Sequence, residues 1–395
     1  MNTGMPSREI LLESLDPENP AAQSFLCAGH AMKETLSVSL ARKGLEIGVR
    51  LAGATVGAST CISDGGDGFL EAFQAVRGGS IVESVARDPL GHIAMCPMLV
   101  NPAKGFAAIE MARCCGLAMV PANRRSVMRS GTASLADLIG RAVSQGLREI
   151  HVGLGGSATC DGGLGMLMRL EEMMLGTLFS RNHFAAEHLG DGSRPNLPEL
   201  RRALEEFGVR MVVYCDVQNP LLGPTGAARL FAPQKGATPE QVDLLERWLE
   251  GWARDAEAMT GADLRQLPGA GAAGGVGFAF AALGCELHDG AGQFFELVGL
   301  REKLAECDGL ITCEGRFDKS SLVGKAPWKA ARAARVLGKR AVIACGEADD
   351  DARAEAAKQG VEVIVFGRDV PVERRSAEAF DRLSQSTRRF LAGIR

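Results

Sequence analysis

The sequence predicts an α/β protein of two domains: a parallel-sheet domain formed by the N- and C-terminal segments, and a second α/β domain inserted between them. Three observations carry this reading. The chain has 395 residues, enough for about two domains of roughly 100–200 residues each. Its last quarter alternates short apolar runs with helical patterns at a spacing that suits a parallel sheet with right-handed crossovers. Its start carries a similar helix–strand–helix unit. The two ends, 1–78 and 286–395, therefore share one Rossmann-like sheet, and 79–285 forms the inserted domain.

Residues 33–49 read as a helix, 54–62 as a strand and 67–76 as a helix. In the inserted domain the strand candidates are 92–100, 105–111, 149–154 and 209–215. The helix candidates are 132–145, 164–175 and 239–259. Segment 179–198 mixes Asn, His, Gly and Pro and reads as a surface excursion. Gly309-Leu-Ile-Thr-Cys opens the next strand. Pro327 sits at the first turn of a helix reaching 337, where its missing N–H does no harm. Residues 340–345 form a strand, 350–359 a helix closed by Gly360, 361–366 a third strand, and 374–391 a last amphipathic helix.

Composition narrows the function classes. Apolar residues make up 46% and charged residues 23%, which excludes bulk disorder. A net charge of −4 argues against a large nucleic-acid surface. No run of 18 apolar residues indicates a membrane span, and the first residues lack the apolar core of a signal peptide. Eleven cysteines without a CxxC pair read as buried free thiols in a reducing cytoplasm, not as a zinc ribbon. Six histidines show no ligand spacing, and His151, in an apolar strand, reads as a core residue. The 49 glycines cluster in a few loops beside apolar runs, where backbone can approach a ligand.

Five of those loops can carry chemistry. Ser63-Asp-Gly-Gly-Asp-Gly follows a strand and opens a helix, a place where backbone N–H groups attract anions. Asp64 and Asp67 there suit Mg²⁺ or a helix cap. The loop 153–163 fits G-x-G-x-x-A with Gly153, Gly155 and Ala158. The acidic residues about 20 positions on, Glu171 and Glu172, fall inside a helix, which removes a ribose-binding reading. Its N–H donors, with the hydroxyls of Ser157 and Thr159, suit phosphate or carboxylate. Asp216 ends an apolar strand before Val217-Gln-Asn-Pro, as a base, a metal ligand or an Asx-turn. Residues 223–226 and 233–236 add turns and one cation. Gly269, Gly271 and Gly274 match G-x-G-x-x-G literally but follow Leu264-Arg-Gln-Leu-Pro, not an apolar strand. They suit either a phosphate-binding helix entry or tight packing. Glu314, Arg316, Asp318 and Lys325 bring both charge signs to one strand end, for an anion clamp or for surface ion pairs.

The order of these pieces resembles the bacterial type I glycerate kinases, from about residue 33 to 346. The motifs that carry the resemblance are Gly155-Gly-Ser-Ala-Thr-Cys-Asp-Gly-Gly, Cys215-Asp-Val-Gln-Asn-Pro-Leu, Pro233-Gln-Lys-Gly-Ala-Thr-Pro-Glu-Gln-Val, Gly269-Ala-Gly-Ala-Ala-Gly-Gly and Ile311-Thr-Cys-Glu-Gly-Arg-Phe-Asp. The resemblance implies a site in a cleft between two α/β domains. It implies ATP-dependent, in-line phosphorylation of D-glycerate to 2-phosphoglycerate, with Mg²⁺ on the nucleotide. The expected partner is a small hydroxy acid, with neither nucleic acid nor membrane. On that mapping Asp216 is the base, and Arg316 and Lys325 neutralise phosphoryl or carboxylate charge. Ser157, Gly155 and Gly156 hold an anionic group. Asp64, Gly65, Gly66, Asp161, Asn219, Gly271, Gly274, Glu314 and Lys33 complete the substrate and phosphate contacts. The chain departs from the family in its opening loop. Where Pro-Asp-Ser-Phe-Lys-Gly-Ser-Leu is usual, it has Gly29-His30-Ala31-Met32-Lys33-Glu34-Thr35-Leu36. Cys160 replaces a usual Asn, and Cys313 and Lys319 replace usual glycines. These changes keep open a second reading, a non-catalytic or altered-substrate relative that binds nucleotide or a small hydroxy acid. The glycine fingerprints keep open a third, a dehydrogenase.

Overall fold

A computed structural model describes residues 22–33, 35–179, 185–367 and 375–393. Glu34 and the start of the last predicted helix lie outside them. In chain order the strands are β1 Ser24–Gly29, β2 Thr55–Cys61, β3 Ser80–Arg87, β4 Ile93–Asn101, β5 Phe106–Glu110, β6 Glu149–Leu154, β7 Arg210–Cys215, β8 Leu287–Asp289, β9 Gly309–Phe317, β10 Arg340–Ala348 and β11 Glu362–Val365.

The chain divides into two compact units, one built from residues up to Ile62 and from Phe295 onward, the other from Ser63–Phe294. The first holds a five-stranded sheet in the order β11-β10-β9-β1-β2, with every pair parallel. The two ends of the chain thus share one sheet, as the alternation predicts. Strand β1, absent from the sequence reading, lies between β9 and β2. Helix α1 (Val38–Leu51) starts five residues later than expected, where the Ser37 hydroxyl accepts from the Leu40 N–H at 3.4 Å. Lys33 falls in the turn before it, across which Met32 and Leu36 pair. Phe25, Leu45, Ile311, Val342 and Leu383 form the core of this unit.

The second unit holds a six-stranded sheet in the order β3-β4-β5-β6-β7-β8. Its β3/β4 and β4/β5 pairs are antiparallel and the rest parallel. This unit begins at Ser63 and ends at Phe294, against the expected 79–285. Helix α2 (Phe69–Arg77) packs on β3, β4 and β5. Phe294 lies 6.3 and 6.1 Å from the rings of Phe69 and Phe73. Helices α3 (Ala133–Ser144) and α4 (Leu164–Leu175) pack together and supply much of the core, with Trp252, Phe278 and Phe280.

Two expectations for this unit have clear outcomes. The excursion at 179–198 is not superficial from 185 on, since Ala185, Ala186, Leu189 and Leu197 are buried. Its apolar residues are spaced too irregularly for a period to reveal them. His151 is a core residue. Its ring meets the Tyr214 hydroxyl at 3.1 Å and the Glu149 carboxylate at 2.6 Å, and burial pushes its pKa down to about 4. All eleven thiols are free, and all but Cys285 are buried. No helix among the described residues is long and apolar enough to cross a membrane.

Candidate active site

In a parallel sheet, ligand-handling groups gather where the strands end, because the loops there are free of ladder hydrogen bonds. In the second unit the ends of β6 and β7 meet the loop 63–68. Strand β7 is buried from Met211 to Cys215 and delivers Asp216 to its rim. Strand β6 continues into Gly155-Gly-Ser. A Cβ on Gly155 would lie 2.4 Å from the Gly66 Cα and 3.2 Å from the Asp216 Oδ2. Only glycine lets these two loops and the carboxylate approach so closely. Gly65 has φ +95° and lies against the Tyr214 carbonyl, so it also excludes a side chain. Asp64 is buried, and its Oδ1 accepts from the Gly66 N–H at 3.1 Å.

This crowding sets the chemistry of Asp216. Burial, and next the Asp64 charge, push its pKa up to about 7, with its own N–H and Lys235 pulling the other way. A carboxylate whose conjugate acid has a pKa near neutrality is suited to take a proton from a hydroxyl.

Ser157 is held from behind. Leu117 N–H donates to the Gly156 carbonyl at 2.9 Å, and Ala158 N–H to the Cys115 carbonyl at 2.8 Å. From in front, the Lys235 ammonium donates to the Ser157 hydroxyl at 2.8 Å and to the Thr159 carbonyl at 2.7 Å. Lys235 ends a short turn, Pro233–Lys235, and its side chain is buried. Burial lowers its pKa, while Cys160, Asp216 and Asp161 oppose that shift. The sequence reading saw this residue only as a cation in a turn.

Several residues expected at the site serve the scaffold instead. Asp161 accepts from the Thr132 N–H and hydroxyl and from the N–H groups of Gly163 and Gly165. Its carboxylate is filled from within and fixes the start of α4. Gly271 and Gly274 lie inside protein. The segment Ala272–Ala282 is buried throughout. A Cβ on Gly274 would lie 2.0 Å from the Thr159 carbonyl, and one on Gly271 2.2 Å from that of Pro220. The literal G-x-G-x-x-G is therefore a packing motif. Asn219 donates from its amide to the Thr225 carbonyl at 2.9 Å, which braces its own loop. Asp67 does not cap α2. The cap position is Gly68, and the Glu110 carboxylate, at the end of β5, accepts from Gly68 N–H at 3.2 Å and Leu70 N–H at 3.1 Å. Burial pushes Glu110 up to about 7.

In the first unit the end of β9 carries a smaller cluster. Glu314 is buried and accepts from the Ser321 hydroxyl at 3.0 Å, while Lys325 lies 3.6 Å from its Oε2 and donates to Ser321 at 3.2 Å. Burial raises Glu314 to about 7, and the Lys325 charge opposes the shift. Arg316 is exposed and pairs with Asp349 at 3.0 Å and Asp318 at 3.7 Å, the surface ion-pair alternative. Lys33 is exposed. The His30 carbonyl accepts from the Cys313 thiol at 3.7 Å, so two residues that depart from the family pattern meet.

The model of the glycerate kinase family matches residues 25–394. The chain is 31% identical over 376 residues to a protein named glycerate kinase from Bacillus subtilis (strain 168), covering 94% of this chain and 97% of that one. It is 33% identical over 329 residues to glycerate 2-kinase of Escherichia coli (strain K12), covering 83% and 86%. A crystal structure from Salmonella typhimurium LT2, assigned by name to glycerate kinase 2, superposes with a TM-score of 0.71 at 29% identity, covering 94% of this chain and 98% of that one. The chain belongs to the glycerate kinase family.

Proposed function

We propose that the protein transfers the γ-phosphoryl group of ATP to the C2 hydroxyl of D-glycerate, giving 2-phosphoglycerate and ADP. The observation that carries this reading is Asp216, a strand-end carboxylate with a pKa near 7, set against the backbone of two glycine loops. As the hydroxyl oxygen bonds to phosphorus and the bond to the ADP oxygen breaks, the hydroxyl proton passes to Asp216. Backbone N–H groups of Gly155, Gly156 and Ser157 hold phosphate oxygens, while the N–H groups of Gly65 and Gly66 are taken up by Ser63 and Asp64 and fix the loop beside them. In such transfers positioning and electrostatics supply most of the rate. In the first unit, Lys325 beside Glu314 is a cation suited to an anionic group, while Arg316 is engaged by Asp349 and Asp318.

Among the described residues no group of three or more His, Cys, Asp or Glu side chains can hold a metal ion. That fits Mg²⁺, which binds through one or two carboxylates plus nucleotide phosphates rather than in an all-protein cage. Asp64 and Asp67, whose charges both raise Asp216, are the residues that would hold it, leaving Asp216 as the base. Mg²⁺, when bound, neutralises phosphate charge. Eleven free thiols suit a cytoplasmic enzyme.

The test is ADP release with D-glycerate and a panel of hydroxy acids, with the product identified by ³¹P NMR. Turnover of D-glycerate to the 2-phosphate is expected. Absence of turnover with every acid would overturn the reading. Nucleotide or acid binding under those conditions would favour the non-catalytic relative.

A further inference from the structure

Lys235 has no part in the roles assigned above, yet its surroundings are those of an anion site. Its side chain is only 3% exposed. An ammonium has three donors, and two are used, on the Ser157 hydroxyl and the Thr159 carbonyl. Both acceptors are neutral. No carboxylate among the described residues forms an ion pair with it, and Asp216 and Asp161 act on it only at longer range. A buried cation without a direct counter-charge is costly. An apolar side chain at this position would be cheaper, so the fold alone gives no reason for a lysine. A ligand that supplies the missing negative charge does.

The neighbours indicate which ligand. Ser157 Oγ accepts from Lys235, so its own proton is free to donate elsewhere. The same residue closes the Gly155-Gly-Ser turn. The Asp216 carboxylate stands at the other end of that turn, 3.2 Å from where a Gly155 Cβ would be. A compact ammonium suits a phosphoryl group as a point charge, whereas a planar carboxylate favours an arginine fork.

We propose that Lys235 is a catalytic residue that binds the transferring phosphoryl group through its third N–H, with the Ser157 hydroxyl donating to the same group. The second unit then holds base, cation and hydroxyl donor at the rim of a single sheet. This inference rests on the kinase reading.

The experiment compares the whole protein with Lys235→Met and Lys235→Gln. Met removes the charge with an apolar side chain, and Gln removes it while keeping an N–H donor for Ser157 or Thr159, so the pair separates loss of charge from loss of a polar contact. Calorimetry measures binding of Mg-ADP and of a non-hydrolysable Mg-ATP analogue, and steady-state rates are measured with D-glycerate. The native protein should bind the triphosphate more tightly than ADP. Both variants should lose that preference. Their kcat should fall about 10²–10³-fold, with KM for D-glycerate nearly unchanged. The inference is overturned if either folded variant keeps the preference, or if the native protein has none. It is also overturned if the loss falls on glycerate affinity, or on melting temperature alone. A native protein that prefers the triphosphate but turns over no glycerate leaves Lys235 in place and removes only the proposed acid.

Discussion

Asp216 sits where the proposed proton transfer and stability oppose each other. Its pKa in the folded protein, about 7, lies above the ordinary value of 3.8. The folded state therefore holds this proton more tightly than the unfolded chain. The stability this gives is fully present below pH ~4 and is lost as pH rises through 7. Asp216→Asn removes the buried charge. At pH 8 the ligand-free variant should melt higher than the native protein, by about 2–4 °C for each kcal/mol regained, and the difference should vanish near pH 4. The same substitution should lower kcat about 10²–10⁴-fold, because the base is gone. Native kcat/KM should fall as pH drops through about 7. A variant that loses stability at pH 8 together with activity would make Asp216 structural. The sequence exposes Asp216 because a carboxylate after an apolar strand is a local pattern. It hides Lys235, whose partners Ser157 and Thr159 lie 78 and 76 residues away. Asp161 misleads in part for the same reason, since two of its four donors come from Thr132, 29 residues away.

At the scale of single elements, the glycine-rich loop after β2 and helix α2 form one mechanical piece. Loop 63–68 runs directly into α2, whose first N–H groups need acceptors. Gly68 has no side chain to offer, so Glu110 reaches across from β5. Glu110→Ala leaves one buried and one half-buried donor unpaired. It should destabilise the second unit by about 1–3 kcal/mol, read by urea unfolding. Turnover should fall as well, because the loop carrying Asp64 loses its anchor. A change under ~0.5 kcal/mol, the size of a neutral surface substitution, would show that α2 starts without this cap. Local sequence suggests Asp67 as the cap because it is the nearest suitable residue. A cap supplied by another strand has no local signature. Strand β3 escapes notice for a related reason. Ser84 and Ala86 face inward while Val85 is 63% exposed, so each face of the strand mixes apolar and polar residues and no clean alternation marks it.

Over the whole molecule, strand–helix alternation reveals that the two ends share a sheet, but not where one unit gives way to the other. The apolar face of α2, with Phe69, Leu70, Ala72 and Phe73, would read alike whichever sheet it covered. Packing decides: Phe69 lies 5.0 Å from Tyr214 of β7, and Phe73 5.6 Å from Phe106 of β5. This gives a test by excision. Residues 63–294 form one continuous segment with its own six-stranded sheet and core. Expressed alone, that segment should melt cooperatively and show the near-UV dichroism of a fixed core around Trp252 and Tyr214. The shorter piece 79–285, which the sequence favours, lacks Phe69, Phe73, Phe294 and strand β8. It leaves Tyr214 and Phe106 uncovered and the β7 edge unpaired. It should therefore show weak near-UV signal and a broad, non-cooperative melt. Equal cooperativity in the two pieces would mean that α2 and β8 do not belong to this core, and the boundary would return to residue 79.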